Sequence, residues 1–290
     1  MGMMTERSIE KPLMSQEIFN GQVCERIALS ANDQVLICHQ GAHVVSWIAT
    51  AKERLFLSSR NHWDGHSAIR GGIPICFPQF NMRGPLVKHG FARNSHWQLG
   101  ASAQTTDAME QTFTLKNLDT SQTHWDQQFE AHLTIQLKKG QLQLELSVNN
   151  SDTKPLLFTG AMHTYFKVAN IDQTKLTGLK DQSEWDSLTD VTSKANEVLF
   201  FKSEFDRVYQ SIPSPLHLQD GQQHLMIEQS NTWQNTVVWN PGSVKGAQLA
   251  DMPPDGYQHM LCVEAAQVFN PIEVLPKHTW QGWQRIIVAT

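Results

Sequence analysis

Four short segments of this chain hold residue types that can move protons or grip anions. The densest runs from Ala68 to Asn94, AIRGGIPICFPQFNMRGPLVKHGFARN. It sets Arg70, Arg83, Lys88, His89 and Arg93 among glycines and prolines. Glycine lets a backbone approach a ligand closely, and proline holds a loop in shape. Arginine offers a planar fork of donors to phosphate or to sugar hydroxyls. An anonymous loop of this kind is usually a solvated surface. Here Ile73, Ile75, Phe77, Phe80 and Phe91 interleave with the charges. They predict a loop that packs down and presents its cations from a fixed base.

The second segment, Phe158 to Lys167, reads FTGAMHTYFK and carries His163. A lone histidine in an apolar run is most often a hydrogen-bonded core residue. Its ordinary pKa of ~6.5 also makes it the commonest acid or base near neutral pH. The third, MLCVEAA from Met260 to Ala266, carries Glu264. Burying a carboxylate without a partner is costly, so a glutamate here bridges to a buried cation or amides, or else does chemistry. The fourth is Phe205-Asp206-Arg207-Val208-Tyr209. Asp206 either opens a turn or accepts hydrogen bonds from two sugar hydroxyls. His62 and His66 are four apart, but Gly65 intervenes and no third ligand is evident, so no metal site is expected there. Among nine tryptophans, Trp63, Trp97 and Trp239 lie near these segments. Most tryptophans pack rather than stack on a ligand.

These side chains need a frame, and the frame reads as strands. Leu133, Ile135 and Leu137 alternate with polar residues, as do Leu142, Leu144, Leu146 and Val148. A period of two is the mark of a half-buried strand. Lys138-Lys139-Gly140 between the two runs predicts a hairpin turn. Further strand-like runs are Val35 to Cys38, Val44 to Ile48, Leu55 to Leu57, Phe113 to Leu115, Val237 to Trp239, Leu261 to Val263 and Ile286 to Val288. Turn residues separate them, as at Asn240-Pro241-Gly242 and Pro253-Pro254-Asp255-Gly256. The polar stretch from Lys180 to Lys194 reads as a loop. No sustained helical period, Rossmann fingerprint or phosphate-binding P-loop occurs. The pattern predicts an all-β antiparallel sandwich or barrel. With no repeat and no compositional break, residues 1–290 read as a single domain.

Bulk composition narrows the partners. The net charge of -5 argues against broad nucleic-acid binding, which needs a basic stripe. A small phosphate-bearing molecule needs only a few local cations. No apolar run approaches the ~18–20 residues of a membrane helix, and the N-terminus shows no apolar leader core. Glu6 stands where a myristoylation signal needs Ser or Thr. The four cysteines, Cys24, Cys38, Cys76 and Cys262, have no metal spacing. Reduced thiols in a cytoplasmic protein are the expectation.

Taken together, RGGIP-CFP-F, KHGFARN, MHTYF, DRVY and CVEAA resemble the glucose-6-phosphate 1-epimerase (hexose-6-phosphate mutarotase) branch of the aldose 1-epimerase superfamily. The resemblance runs from about Gly41 to the C-terminus. It implies the galactose mutarotase-like supersandwich, a large antiparallel β-sandwich with its site on the concave face. It implies His163 as catalytic acid and Glu264 as catalytic base. It implies Arg70 and Arg93 as holders of substrate and phosphate, Asp206 on the sugar hydroxyls, and His89 lining the pocket. Many relatives have Gln or Ala where this chain has Lys88, which adds a cation suited to a phosphorylated sugar. The implied reaction opens and recloses a hexose phosphate ring without metal, nucleotide or other cofactor, in a monomer. An unphosphorylated aldose, a non-catalytic sugar-binding role and a glycosidase using Glu264 with Asp206 are the alternatives.

Overall fold

The structure is a computed structural model that describes residues 12–117 and 125–289. The stretch 1–11, read above for leader and lipidation signals, lies outside them. The chain opens with a meander: β1 (Leu13–Phe19), β2 (Gln22–Ser30), β3 (Asp33–Cys38), β4 (His43–Ala49) and the short β5 (Lys52–Glu53). After β6 (Ile75–Cys76) come β7 (Gln98–Gln104), β8 (Ala108–Lys116), β9 (Phe129–Lys138) and β10 (Gln141–Asn150). Then follow β11 (Leu156–Met162), β12 (Tyr165–Lys167), β13 (Lys175–Thr177), β14 (Ser183–Asp186), β15 (Val191–Lys194) and β16 (Val198–Phe200). The last strands are β17 (Phe205–Gln210), β18 (Leu216–Gln219), β19 (His224–Gln229), β20 (Asn235–Asn240), β21 (Met260–Val274) and β22 (Thr279–Val288). One α-helix, α1 (Gly242–Gln248), occurs among the described residues, directly after β20.

Two large antiparallel sheets face each other. One has the order β16-β13-β18-β19-β22-β10-β9-β8-β7. The other runs β15-β14-β17-β20-β21-β11-β6, with β12 also paired to β21. Leu142, Leu144, Leu146 and Val148 of the first sheet share one core with Leu261, Val263 and Ala265 of the second. The expected alternation of β9 and β10 is therefore real, and its apolar face fills the sandwich. Lys139 and Gly140 form the tight connection between them, with Gly140 at φ 67°. The N-terminal meander adds Ile27, Val35, Ile37 and Trp47 to the same core.

Two expectations need correction. Residues 180–194 are not a loop, because β14 and β15 form a hairpin on the edge of the second sheet. Every residue of β15 is exposed, so solvent and not a core chose its side chains, and no apolar alternation marks it. Leu55 to Leu57 is not a strand. It makes isolated bridges, Leu55 to Phe166 and Leu57 to Gly71, that tie the RGG loop to β12.

One polar residue crosses the apolar interior. Gln284 of β22 is 2% exposed. Its amide N–H donates to the Val263 carbonyl at 3.1 Å, and its Oε1 accepts from the Thr164 hydroxyl. The Val263 N–H donates to the Thr164 carbonyl at 3.2 Å. Thr164 follows His163 and Val263 precedes Glu264, so one side chain from the opposite sheet fixes the neighbours of both. Replacing it by an apolar residue leaves these groups unsatisfied, at about 1–3 kcal/mol. Gln284→Leu is expected to lose that much in urea unfolding. An unchanged midpoint would show that the crosslink carries no stability.

Candidate active site

β21 is buried on both faces over its first half, and its alternation divides the labour. Leu261, Val263 and Ala265 enter the sandwich core. On the other face, Cys262 packs with Phe56, Tyr165, Met252 and Met260, and Ala266 packs with Cys76, Ala161, Val208 and Val237. Glu264 stands between these two apolar clusters, 1% exposed. His163 comes from the break between β11 and β12, where its own N–H donates to the Pro74 carbonyl at 3.0 Å. Its Nε2 lies 3.4 Å from Glu264 Oε1. The imidazole stacks on Tyr165 at 4.7 Å and 9°. Trp239 stands edge-on at 6.1 Å and His89 at 5.4 Å.

Two atoms of this pair lack any protein partner, His163 Nδ1 and Glu264 Oε2. Buried polar atoms are normally satisfied, and leaving one unsatisfied costs about 1–3 kcal/mol. Such exceptions in a native fold call for a functional explanation. Burial pushes the His163 imidazole down to about 3, and the Arg93 and Arg70 cations push the same way. Burial pushes the Glu264 carboxyl well above the ordinary carboxylate range, with the Asp206 charge second. At this separation one might expect an ion pair. Both shifts oppose the charged pair, because burial removes the water that would solvate either charge. They favour a proton on the carboxyl beside a neutral imidazole.

The loop expected to carry cations does pack down. Gly71 and Gly72 have φ of 110° and 63°. A Cβ on Gly71 would meet the Phe56 carbonyl at 2.3 Å, so this approach admits only glycine. Beneath it the buried His43 donates from Nε2 to the Gly71 carbonyl at 2.7 Å, and burial lowers its pKa to about 4. Arg70 is steered by Asp251, whose Oδ1 accepts from Nε at 2.7 Å, and its Nη1 lies 3.3 Å from the Tyr165 hydroxyl. At the far end, Arg93 Nη2 donates to the Lys88 carbonyl at 2.8 Å, while Arg93 Nε is buried without a partner. His89 accepts at Nδ1 from the Asn81 N–H at 3.2 Å, which puts its proton on Nε2. Cys76 Sγ lies 3.2 Å from the same Nδ1. A cavity of about 600 Å³ opens against His66, Lys88, Arg93, Asn94, Ser95 and His96.

Asp206 of β17 pairs with Trp239 of β20, which pairs with Cys262 of β21, so it lies in a row across the same face. Burial raises its carboxyl, against a hydrogen bond from Ser187. The fold thus gathers His163, Glu264, His89, Arg70, Arg93, Lys88 and Asp206 around one face. Arg83 is elsewhere in function: its guanidinium lies 5.0 Å from the Trp185 ring and 5.1 Å from the Phe269 ring, pinning the loop. Of the three tryptophans, only Trp239 reaches the pair. Trp97 is a core residue, and Trp63 packs edge-on against Phe19. Sequence reasoning gave no role to His43, Tyr165 or Asp251. Tyr165 sat inside a flagged motif, whereas Asp251 is 181 residues from Arg70 and left no local signal.

The two-sheet antiparallel sandwich is a fold shared with solved mutarotase-like structures. The chain belongs to the aldose 1-epimerase family, whose model matches residues 25–286. It is 34% identical over 254 residues to a protein of Cenchrus ciliaris named as a candidate glucose-6-phosphate 1-epimerase, covering 83% of this chain and 77% of that one. A protein of Salmonella typhimurium with the same designation is 31% identical, covering 86% and 85%. Among solved structures, a mutarotase candidate from Salmonella typhimurium superposes with a TM-score of 0.86 at 26% identity, covering 96% and 94%. A galactose mutarotase-like protein from Clostridium acetobutylicum shares the fold, with a TM-score of 0.74 at 14% identity over 97% and 99% of the two chains.

The depressed His163 value makes a direct expectation. As pH falls below the ordinary ~6.5 toward about 3, the unfolded chain takes up this proton before the folded one, so the group removes stability in that window. By NMR, the His163 ring of the sugar-free protein should stay neutral over roughly pH 5–8. A titration midpoint near 6.5 would contradict the burial account.

Proposed function

We propose that this protein interconverts the α and β anomers of a hexose 6-phosphate, glucose 6-phosphate being the first candidate, by ring opening and closure. The observation that carries this is the 3.4 Å contact between His163 and Glu264, with one unpartnered polar atom left on each. Opening needs a base for the anomeric hydroxyl and an acid for the ring oxygen. Glu264 takes the proton from the hydroxyl on C1. His163 gives a proton to the ring oxygen as the C1–O bond breaks and an aldehyde forms. After rotation about C1–C2, the same protons return and the ring closes on the other face. Neither residue is consumed. The near partner of Glu264 is an imidazole and not a second carboxylate, which favours this chemistry over glycoside hydrolysis.

The roles require the proton to sit on His163, whereas burial by itself favours it on Glu264. Arg93, Arg70 and Lys88 all help hold His163 neutral. A phosphate dianion on these cations cancels their field. Binding at C6 thereby favours transfer of the proton from Glu264 to His163 across the short contact. The phosphate takes no chemical part, yet its binding energy charges the acid. Asp206 and His89 are assigned to the sugar hydroxyls and the pocket wall. The chain acts as one domain and as a cytoplasmic monomer in this proposal. The four free cysteines support that setting.

Two outcomes are expected in steady-state kinetics. Glucose 6-phosphate should exceed free glucose in kcat and not only in KM, since the phosphate acts on the acid. Arg93→Ala should shrink that preference by about 10–100-fold, the worth of a charge-assisted contact of roughly 1.5–3 kcal/mol. Equal kcat for the two sugars, with the arginine variant unaffected, would move the protein to the unphosphorylated aldoses.

A further inference from the structure

The face that holds the pair also holds a third potential ligand. His163, Cys262 and Glu264 offer ligand atoms that all lie within 4.8 Å of one another, and all three residues are buried. Cys262 and Glu264 project from the same face of β21, two residues apart, and His163 meets them from across the β11–β12 break. Imidazole nitrogen, thiolate sulfur and carboxylate oxygen together form the mixed donor set that zinc takes. Zinc holds nitrogen and oxygen ligands at roughly 2.0–2.1 Å in a tetrahedron, which sets two such ligands about 3.3–3.4 Å apart. The separation of His163 Nε2 from Glu264 Oε1 is 3.4 Å, which meets that edge, while Cys262 Sγ, within 4.8 Å of both, has to turn inward to complete the set. Glu264 Oε2 is buried and unpartnered, which leaves this carboxylate an atom free for a ligand.

We propose that His163, Cys262 and Glu264 form a three-ligand site for a borderline-soft divalent cation, zinc above all, which occupies the pocket in competition with the sugar. The proposal uses two side chains of the anomerisation reading, but its binding arm needs no turnover. On binding, the Cys262 thiol and the His163–Glu264 pair release their protons, two in all. The thiolate and carboxylate then balance the 2+ charge of the ion. Arg70 and Arg93 therefore face a neutral cluster, which removes their objection to a cation. Three protein ligands leave the fourth tetrahedral position open to water. The metal takes lone pairs from both proton carriers, so it silences the site. Cys262 has no part in ring opening, so its removal separates metal binding from catalysis. Magnesium, which demands octahedral oxygen ligands, should not compete.

The test is a titration of the full-length protein with cobalt(II) in thiol-free buffer, followed by absorption. Expected are the visible bands of tetrahedral cobalt and a thiolate-to-cobalt charge-transfer band. They should saturate at one equivalent, vanish on adding zinc, persist in Cys76→Ala and be absent in Cys262→Ala. Circular dichroism checks that each variant is folded, and Cys262→Ser serves if the alanine variant is not. Zinc should inhibit anomerisation by the wild type, reversibly with a chelator, and its half-inhibiting concentration should rise roughly tenfold or more in Cys262→Ala. No charge-transfer band, or one that survives loss of Cys262, overturns the site. So does equal zinc inhibition of wild type and Cys262→Ala.

Discussion

The constraint on which the rest depends is the removal of one proton-sharing pair from water. Glu264 is 1% exposed and His163 7% exposed, and each is the other's ion-pair partner in reach. Burial favours the neutral carboxyl and imidazole over the charged pair. The site is therefore held in a state ready to exchange a proton. A bound anion then decides where that proton sits. The arginines, which a static view assigns to anchoring, are in this account also the groups whose field the substrate must cancel.

Most of the surrounding architecture can be read as meeting that constraint. β21 must be buried on both faces to keep Glu264 dry, so its alternate residues fill the sandwich core on one side and apolar clusters on the other. Gln284 satisfies the Val263 carbonyl and the Thr164 hydroxyl, one beside each member of the pair, without placing a charge near it. Gly71, Gly72 and His43 let the arginine loop press against Phe56 and Val44, where any side chain would collide. Rigidity here has a cost that shows as unsatisfied atoms on His163, Glu264 and Arg93. Functional sites commonly carry such debts, and a ligand discharges them.

How much of this could be read beforehand follows from the range of each interaction. The strict alternation of β9 and β10 was legible because burial on one face is written into every second residue. The β14–β15 hairpin was not, since an exposed edge imposes no such pattern. Glu264 and His163 stood out as polar residues in apolar runs. Asp251, His43 and Gln284 did not, because their meaning lies in contacts with residues far along the chain. Arg83 shows the converse: it stands among the other cations in sequence, while the fold lays it over the touching rings of Trp185 and Phe269. Residue type set the candidates, and only tertiary proximity sorted them.

The central claim is that Glu264 and His163 act as one proton-exchanging unit on the anomeric centre. Exchange between the α and β anomers of glucose 6-phosphate, followed by NMR with wild type and Glu264→Gln, tests it most directly. The account predicts rapid exchange with the wild type and a loss of about 10²–10⁴-fold in the variant, with the fold intact. Exchange that is just as fast in Glu264→Gln would contradict it.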